Sequence, residues 1–386
     1  MFEEKTVLRI PGPTPVPPEV TRAMTHAMIG HRSGDFSSLL AEVEASLRDL
    51  FQTSGDVAVI AGTGTGGLEA AVYSMVHAGD RVLAISTGNF GDRFTEIARR
   101  TEADVISLNC EWGQPAKVEE VARILAEHSD IRVVLLTHCE TSTGVLNNVQ
   151  QIAHITQEYG AYLIVDAVSS FVGSPLPMDE WNVDVVVTGS QKALGLPPGL
   201  ALVAMSSRAI ERVKNGPAAR SFYFDLKRYQ KGLGDSTTPW TPPVSLIYGL
   251  RESLLMIQEE GLQQAQRRHR LLRDMTRAGI RAMGLSLVVN DEKSASDTVT
   301  TVFVPDADQV CKVMKNDLHI VVAGGQKQLS GKIIRIGHMG YVDASDMLQC
   351  LAALEIALVK TGYKMELGAG VRAAQEVYLH ASNSRD

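Results

Sequence analysis

The apolar and polar positions of the chain fall into two alternating patterns. Short apolar runs bounded by turn residues alternate with longer segments that carry a helical apolar stripe, such as Phe36 to Phe51. The first pattern predicts buried strands and the second predicts helices. The predicted strands lie near residues 57–60, 82–86, 104–108, 132–137, 161–165, 184–188 and 200–205. This alternation is typical of an α/β domain with a mostly parallel, seven-stranded sheet.

The pattern differs on either side of this region. Five of residues 10–18 are proline, which excludes a helix there and favours an extended arm; a helix is predicted over 19–28. A proline-rich break at 237–243 precedes a long helix predicted from about Ser245, and the rest mixes strands (299–304, 332–337) with helices (307–315, 344–361). We therefore predict an N-terminal arm over 1–19, a large domain over 20–260 and a smaller C-terminal α+β domain over 261–386.

Composition narrows the class of protein. The chain has 386 residues, 45% of them apolar and 21% charged, which is ordinary for a globular protein. Its formal net charge of −7 argues against a general binder of nucleic acid or anionic membranes. The four scattered cysteines suggest neither a zinc site nor a disulfide framework. No apolar run approaches a membrane span, and neither the charged N-terminus nor Asn383-Ser384-Arg385-Asp386 resembles a targeting signal, so we expect a cytoplasmic enzyme.

One lysine stands in an unusual place. Lys192 follows an apolar run in a Gly/Pro-rich loop and precedes the next apolar run. A surface lysine on a hairpin is one interpretation. The other is functional, because a desolvated lysine loses its proton easily and forms a Schiff base with a carbonyl. Asp166, which ends an earlier strand, favours the second interpretation, since pyridoxal phosphate sites need a lysine and an acid facing the pyridine nitrogen.

Lys192 and Asp166 each lie in a short motif, and the two motifs occur together in one enzyme family. The runs Asp166-Ala167-Val168-Ser169-Ser170 and Gly189-Ser190-Gln191-Lys192 occur in the order found in class V aminotransferases. Over nearly its whole length the chain resembles the alanine–glyoxylate and serine–pyruvate branch of that family. The resemblance implies a fold-type-I enzyme in which Lys192 holds pyridoxal phosphate and Asp166 faces its ring nitrogen. It also implies a homodimer with shared active sites, in which the arm runs across the partner and borders the site.

A glycine-rich loop lies between a predicted strand and a predicted helix at residues 62–67. Such loops let backbone N–H groups approach a phosphate at a helix N-terminus. The loop also fits the G-x-G-x-x-G pattern of dinucleotide-binding folds, but the acid expected after the second strand is replaced by Ser86-Thr87-Gly88. The resemblance places the cofactor phosphate on Gly64, Thr65 and Gly66.

The resemblance also assigns roles to isolated polar and aromatic residues. Phe90 would stack on the pyridine ring, although simple packing is the alternative. Thr141 would contact the phenolic oxygen, Gln191 a phosphate oxygen, and Thr241 the phosphate of the partner subunit's cofactor, unless Thr241 only caps a turn. The roles of His31, Arg32 and Thr238 stay open. Of the residues around Thr141, His138 and Cys139 are interpreted as structural, and Glu140 and Thr143 as braces of their loop.

Arg335 is an arginine within the apolar run Ile333-Ile334-Arg335-Ile336. A buried arginine needs an anion or an ion pair. An internal ion pair is one possibility; the resemblance instead makes Arg335 the clamp for the substrate α-carboxylate.

The sequence therefore predicts an aminotransferase that works by two half-reactions, with a small donor such as alanine or serine and glyoxylate or pyruvate as acceptor. Another donor such as aspartate is an alternative. A lyase such as a cysteine desulfurase is disfavoured because Cys311 and Cys350 lie in predicted helices and not in a mobile loop. A regulatory protein that merely kept the fold is disfavoured because Lys192, Asp166 and Arg335 are all present.

Overall fold

The computed structural model describes residues 5–383. The first four residues of the predicted arm and the last three residues of the chain, part of the segment considered as a peroxisomal address, lie outside the described residues. The strands are β1 (Val7–Leu8), β2 (Asp56–Ala61), β3 (Arg81–Ser86), β4 (Asp104–Asn109), β5 (Ile131–Thr137), β6 (Cys139–Glu140), β7 (Val145–Leu146), β8 (Tyr162–Asp166), β9 (Val185–Gly189), β10 (Leu200–Met205), β11 (Val299–Phe303), β12 (Ile320–Val321), β13 (Ala323–Gly324) and β14 (Ile333–Gly337).

Thirteen α-helices connect or cover these strands in the described part of the chain. They are α1 (Pro18–Ala23), α2 (Gly34–Phe51), α3 (Gly64–Met75), α4 (Asn89–Arg99), α5 (Val118–Glu127), α6 (Val149–Glu158), α7 (Ser207–Asn215), α8 (Leu226–Gly234), α9 (Val244–Glu260), α10 (Leu262–Ala282), α11 (Ala307–Leu318), α12 (Ala344–Lys360) and α13 (Ala369–Asn383).

The large sheet contains the seven predicted strands in the order β2-β10-β9-β8-β5-β3-β4. Only β10 is antiparallel to its neighbours, so the prediction of a mostly parallel sheet is confirmed. Both faces are covered, which explains why the strands are apolar throughout. Along β3, Leu83 and Ile85 join the core formed with α2, α5, α6 and α9, whereas Val82 and Ala84 join the core formed with α3, α4 and α7.

A second, smaller sheet has the antiparallel order β11-β14-β13. It shares a separate apolar core with α10, α11, α12 and α13. The predicted strands β11 and β14 and the predicted helices α11 and α12 are confirmed within three residues at each end. The sequence did not identify α10 or α13. The chain turns at Gly261, between α9 and α10, where φ is +82°; the domain boundary at residues 260/261 stays a prediction.

The N-terminal arm is extended beside the loop that carries Lys192. Its first described strand, β1, pairs in parallel with β12, and Thr14 bonds backbone groups of Gln191 (3.1 Å) and Lys192 (2.8 Å). Helix α1 ends at Ala23, so the helix predicted as far as residue 28 is shorter than expected. Gly12 has φ of +118°, and a Cβ there would lie 2.7 Å from Cδ of Lys192. Glycine lets the arm approach the lysine so closely.

None of the helices within residues 5–383 combines the length and the apolar composition that a bilayer span would need.

Candidate active site

Lys192 lies in the loop between β9 and β10, as the sequence predicts. The loop is held by Ser190, whose hydroxyl donates to the carbonyl of Pro197 (2.7 Å) and accepts from the backbone N–H of Leu200 (3.1 Å). The lysine Nζ donates to the carbonyl of Pro11 in the arm. Burial lowers the pKa of Lys192 to about 8; nearby Arg335 lowers it further, while Cys139 and Asp166 oppose the shift. This amine gives up its proton readily and is therefore suited to attack a carbonyl.

Asp166 is the last residue of β8, the strand next to β9. Its side chain is 5% exposed, and Oδ1 accepts a hydrogen bond from the backbone N–H of Val168 (2.9 Å). Burial raises the pKa of Asp166 to about 6, against the opposing effect of that hydrogen bond. Asp166 and Lys192 line the same cavity of about 300 Å³. The carboxyl ends of parallel strands meet at one edge of a sheet, which is where open α/β sheets bind ligands.

Seven of the nine predicted cofactor-binding residues line this cavity: Gly64, Thr65, Phe90, Thr141, Asp166, Gln191 and Lys192. Gly66 does not, because it faces the ring of Phe224, whose Cζ would lie 2.9 Å from a Cβ at that position. Thr63 lines the cavity in its place. Thr241 lies outside the cavity on an exposed loop of this chain. The glycine-rich loop therefore contributes residues 63–65, one position earlier than the sequence suggested.

One end of the cavity is suited to an anion. Helix α3 begins here, its N-cap residue Thr63 makes no side-chain capping hydrogen bond, and its first turn contains no acidic residue. The free N–H groups of a first turn attract anions. Oε1 of Gln191 is buried without a hydrogen-bond partner among the described residues, and a half-turn of the amide directs its N–H₂ to the same place. An unpaired buried polar atom indicates that a polar ligand completes the site.

Phe90 lies in the first turn of α4, and Glu140 fixes its position. The Glu140 carboxylate accepts hydrogen bonds from the backbone N–H groups of Phe90 (3.1 Å) and Gly91 (2.9 Å) and from the hydroxyl of Ser142 (2.6 Å). Gly88, the N-cap residue of α4, has no side chain to cap this helix, so Glu140 performs that function from another strand. Glu140 thus braces its loop, as the sequence predicted. Thr143 also contacts this region through the carbonyl of Thr87 (3.3 Å).

His138 and Cys139 do not form a catalytic pair. Both are buried; burial lowers the pKa of His138 to about 4 and raises that of Cys139 to about 11. The Cys139 thiol lies 3.0 Å from the hydroxyl of Ser296. Cys139 nevertheless lines the cavity, which the sequence did not predict.

Arg335 is 8% exposed and donates to two backbone carbonyls, those of Gly324 (2.8 Å) and Thr141 (3.3 Å). Arg335 is not among the residues that line the cavity, but it contacts Thr141, which does. Within residues 5–383 the structure shows no acidic side chain in an ion pair with Arg335, and burial lowers the pKa of its guanidinium. The internal ion pair considered from the sequence is therefore not found there. Glu140 raises the pKa of Arg335 without forming an ion pair with it, and a buried cation without an ion-pair partner is suited to bind an anionic ligand.

Two residues outside the sequence predictions contribute to this region. Arg93 lines the cavity, and its position three residues after Phe90 on α4 could have indicated this, because residues at that spacing share a helix face. Arg32, whose role was left open, donates to the hydroxyl of Thr237 (2.5 Å) and the carbonyl of Thr238 (2.6 Å). It therefore holds the loop that carries Thr241. The Thr238 hydroxyl bonds within the same loop, to the carbonyl of Trp240 (2.7 Å).

These residues fit pyridoxal phosphate. A lysine of lowered pKa, a buried acid, an aromatic side chain and an uncapped helix N-terminus surround one cavity, and each matches a different part of that cofactor. The Gln191 amide at the helix end supports the same fit, because its N–H₂ group, once exchanged with the unpaired oxygen, could donate to the phosphate.

Comparisons with known proteins agree. The sequence profile described as "Aminotransferase class-V" matches residues 7–349. An uncharacterized aminotransferase of Methanocaldococcus jannaschii is 42% identical over 97% of this chain and 98% of its own length. The serine–glyoxylate aminotransferase of Methylorubrum extorquens is 36% identical over 95% of this chain and 94% of its own. The crystal structure of ureidoglycine–glyoxylate aminotransferase from Bacillus subtilis superposes with a TM-score of 0.91 at 33% identity, covering 98% of this chain and 99% of that one.

Proposed function

The chain belongs to the class V aminotransferases, and we propose that it transfers the amino group of a small amino acid, alanine or serine, to glyoxylate or pyruvate with pyridoxal phosphate as cofactor. The observation that carries the proposal is the meeting of Lys192 and Asp166 in one cavity with the anion-binding end of α3. The similar proteins named above for serine–glyoxylate and ureidoglycine–glyoxylate transfer support glyoxylate as the acceptor.

Pyridoxal phosphate supplies an aldehyde that captures amino groups and a ring that accepts the electrons of a broken Cα–H bond. Lys192 would hold the aldehyde carbon, and its amine, once released, would carry the proton away from the substrate Cα. The lowered pKa of Lys192 suits it to accept a proton near neutral pH. Asp166 would keep the ring nitrogen protonated, because its buried carboxylate accepts a hydrogen bond from Val168 on one oxygen and has acceptor capacity left for that nitrogen.

Arg335 and Phe90 would orient the reacting groups. Arg335 would bind the substrate α-carboxylate through a pair of parallel hydrogen bonds, which fix both the position and the plane of the carboxylate. Phe90 would stack on the cofactor ring from a backbone position held by Glu140. Thr141 would contact the phenolic oxygen, and the first turn of α3 and Gln191 would bind the phosphate.

A homodimer would complete the site. Thr241 is exposed, and the neighbouring side chains of Phe222 (68% exposed), Tyr223 and Trp240 form an aromatic cluster at the surface. Exposed aromatic side chains of this kind are enriched at protein interfaces. We expect two inactive variants, Lys192→Ala and Thr241→Trp, to regain activity when mixed and reassociated, because a hybrid dimer contains one intact site. An active monomer in solution would contradict the shared site. A cytoplasmic location stays a prediction.

A panel of amino donors assayed against glyoxylate, pyruvate and 2-oxoglutarate tests the substrates. Alanine or serine should give the highest kcat/KM, with glyoxylate or pyruvate as the better acceptor. Preference for aspartate as donor would replace the small-donor proposal and leave the aminotransferase assignment intact. Release of sulfide from cysteine would favour the desulfurase alternative, although Cys311 and Cys350 lie in helices α11 and α12. A colourless protein that binds no pyridoxal phosphate would indicate a regulatory protein instead.

A further inference from the structure

Arg93 borders the proposed cofactor site, but none of the roles assigned above involves it. It lies on α4 one turn after Phe90 and lines the cavity. Its Nη1 donates to the hydroxyl of Thr65 at 3.2 Å, and its Cζ lies 4.9 Å from the centre of the Phe90 ring. Arg93 therefore reaches from the side of the proposed ring site to the residue at the start of α3. The positive charge of Arg93 acts on the groups in the cavity, because it lowers the pKa of Asp166.

The charges around the cavity are unevenly distributed. Among the described residues that line it, three are charged: Arg93, Asp166 and Lys192. Lys192 is assigned to the aldehyde, and Asp166 is an anion that would repel a phosphate. The groups assigned above to the phosphate, which are the first turn of α3, Gln191 and the partner subunit's Thr241, are all neutral. Among the described residues that line the cavity, Arg93 is therefore the one cation that is not assigned to another part of the cofactor.

Among the described residues, Arg93 is also not engaged in a salt bridge, although its charge acts on the Asp166 carboxylate from a distance. Its Nη1 donates to the neutral hydroxyl of Thr65, and within the part of the chain that the structure describes Arg93 forms no ion pair with an acidic side chain. The adjacent acid on the helix, Asp92, pairs with Lys327 at 2.9 Å. A guanidinium presents N–H groups that match phosphate oxygens in pairs.

We propose that Arg93 is a cofactor-binding residue that contacts the phosphate and supplies the positive charge of that end of the site. The inference rests on the proposed function, because the phosphate belongs to the proposed cofactor. It assigns Arg93 a role that the sequence did not suggest and that differs from support of the Phe90 ring.

The test compares pyridoxal phosphate with pyridoxal, which lacks the phosphate. Both aldehydes are titrated into cofactor-free protein, and the dissociation constants are measured from the absorbance of the bound aldehyde. Arg93→Gln should raise the Kd for pyridoxal phosphate by about ten- to a hundredfold and change the Kd for pyridoxal by less than about twofold. Arg93→Lys should recover part of the loss, because lysine keeps the charge without the planar fork. Inorganic phosphate should raise the Tm of cofactor-free wild-type protein more than that of Arg93→Gln.

Arg100→Gln is the matched control. Arg100 follows the same helix, is exposed and pairs with Glu96 at 2.8 Å, so its loss should leave both dissociation constants unchanged. Equal weakening of both aldehydes by Arg93→Gln would overturn the inference and show that Arg93 acts through the Phe90 ring. Unchanged cofactor binding with a selective loss of aspartate turnover would overturn it in favour of a substrate carboxylate. Failure of wild-type protein to bind either aldehyde would refute the proposed function itself, and the inference with it.

Discussion

Two buried carboxylates near neighbouring strand ends of the large sheet have opposite surroundings. Glu140, just after β5, accepts hydrogen bonds from the backbone N–H groups of Phe90, Gly91 and Ser142 and from the Ser142 hydroxyl. Asp166, at the end of β8, accepts one hydrogen bond within the described residues, from the backbone N–H of Val168. Burial raises the pKa of both acids. Glu140 is satisfied by its own chain, whereas Asp166 keeps acceptor capacity that faces a cavity.

Two buried arginines in the smaller region differ in the same way. Arg277 pairs with Glu292 at 2.8 Å and 3.1 Å and also donates to the carbonyl of Val289. Arg335 donates to the carbonyls of Gly324 and Thr141 and forms no ion pair with an acidic side chain in the described structure. Removing a buried charged group whose partners lie within the fold lowers stability, whereas a buried charged group without such a partner indicates where a ligand binds. The following variants test this distinction.

The largest effect is expected for Lys192→Ala. The variant should lose more than about a thousandfold in kcat, because the proposed proton carrier is removed, and it should still bind pyridoxal phosphate. Borohydride treatment followed by peptide mass spectrometry should fix the cofactor to the Lys192 peptide of wild-type protein and leave the variant unlabelled. Lys214→Ala, an exposed lysine on α7, is the control. Near-normal transamination by Lys192→Ala would contradict the assignment of Lys192 as the catalytic lysine.

The two carboxylates should separate activity from stability. Asp166→Asn keeps the shape but removes the charge facing the ring nitrogen, so kcat should fall by at least about a hundredfold without the loss of stability expected for Glu140→Gln. Glu140→Gln places an amide N–H₂ among backbone donors and should cost about 1–3 kcal/mol of unfolding free energy. Steady-state kinetics and thermal unfolding of both variants measure the contrast. If Asp166→Asn changed only cofactor affinity, Asp166 would be a binding residue without an electronic role.

Variants of the two arginines should also separate activity from stability, with smaller effects than the variants of the two carboxylates. Arg335→Lys cannot reproduce the paired hydrogen bonds and should lose about ten- to a hundredfold in kcat/KM for donor and acceptor alike. An amine without a carboxylate should be nearly indifferent to the change, and cofactor binding should be unaltered. Arg277→Lys should lower Tm and leave kcat/KM nearly unchanged. A loss of stability in Arg335→Lys without a selective kinetic effect would favour an internal structural role.

The smallest effect concerns pH. Asp166 has a folded-state pKa of about 6, above the usual value of 3.8, because burial disfavours its charged form. The folded state then binds this proton more tightly than the unfolded state, so the contribution to stability is present below the usual pKa and is lost as pH rises through about 6. Cofactor-free Asp166→Asn should therefore gain a few degrees in Tm relative to wild type as pH rises from about 4 to 7. A difference in Tm that stays constant across that range would contradict the raised pKa of Asp166.

Local features of the sequence determined the strands of the large sheet and the positions of two site residues. Seven apolar runs bounded by turn residues gave the strands of the large sheet to within one residue at each end, because a strand buried on both faces must be apolar throughout. They also placed Asp166 and Lys192 at strand ends, where α/β sheets bind ligands. Helix α10 was missed because its buried face contains His269, Thr276 and Arg277 beside the apolar residues, which weakens the apolar stripe.

Only the tertiary structure decided which side chains share the cavity. Gly66 faces Phe224 while Thr63 lines the site, so the contributing part of the loop is shifted by one position, which depends on how α3 packs and not on its composition. Cys139 meets Ser296 across 157 positions of sequence. The open hydrogen-bonding capacity of Asp166 and Arg335 also depends on distant chain segments, because a charge is satisfied or left open by whatever the fold brings beside it. Periodicity reports the burial of a residue, but the identity of its neighbours is a property of long-range packing.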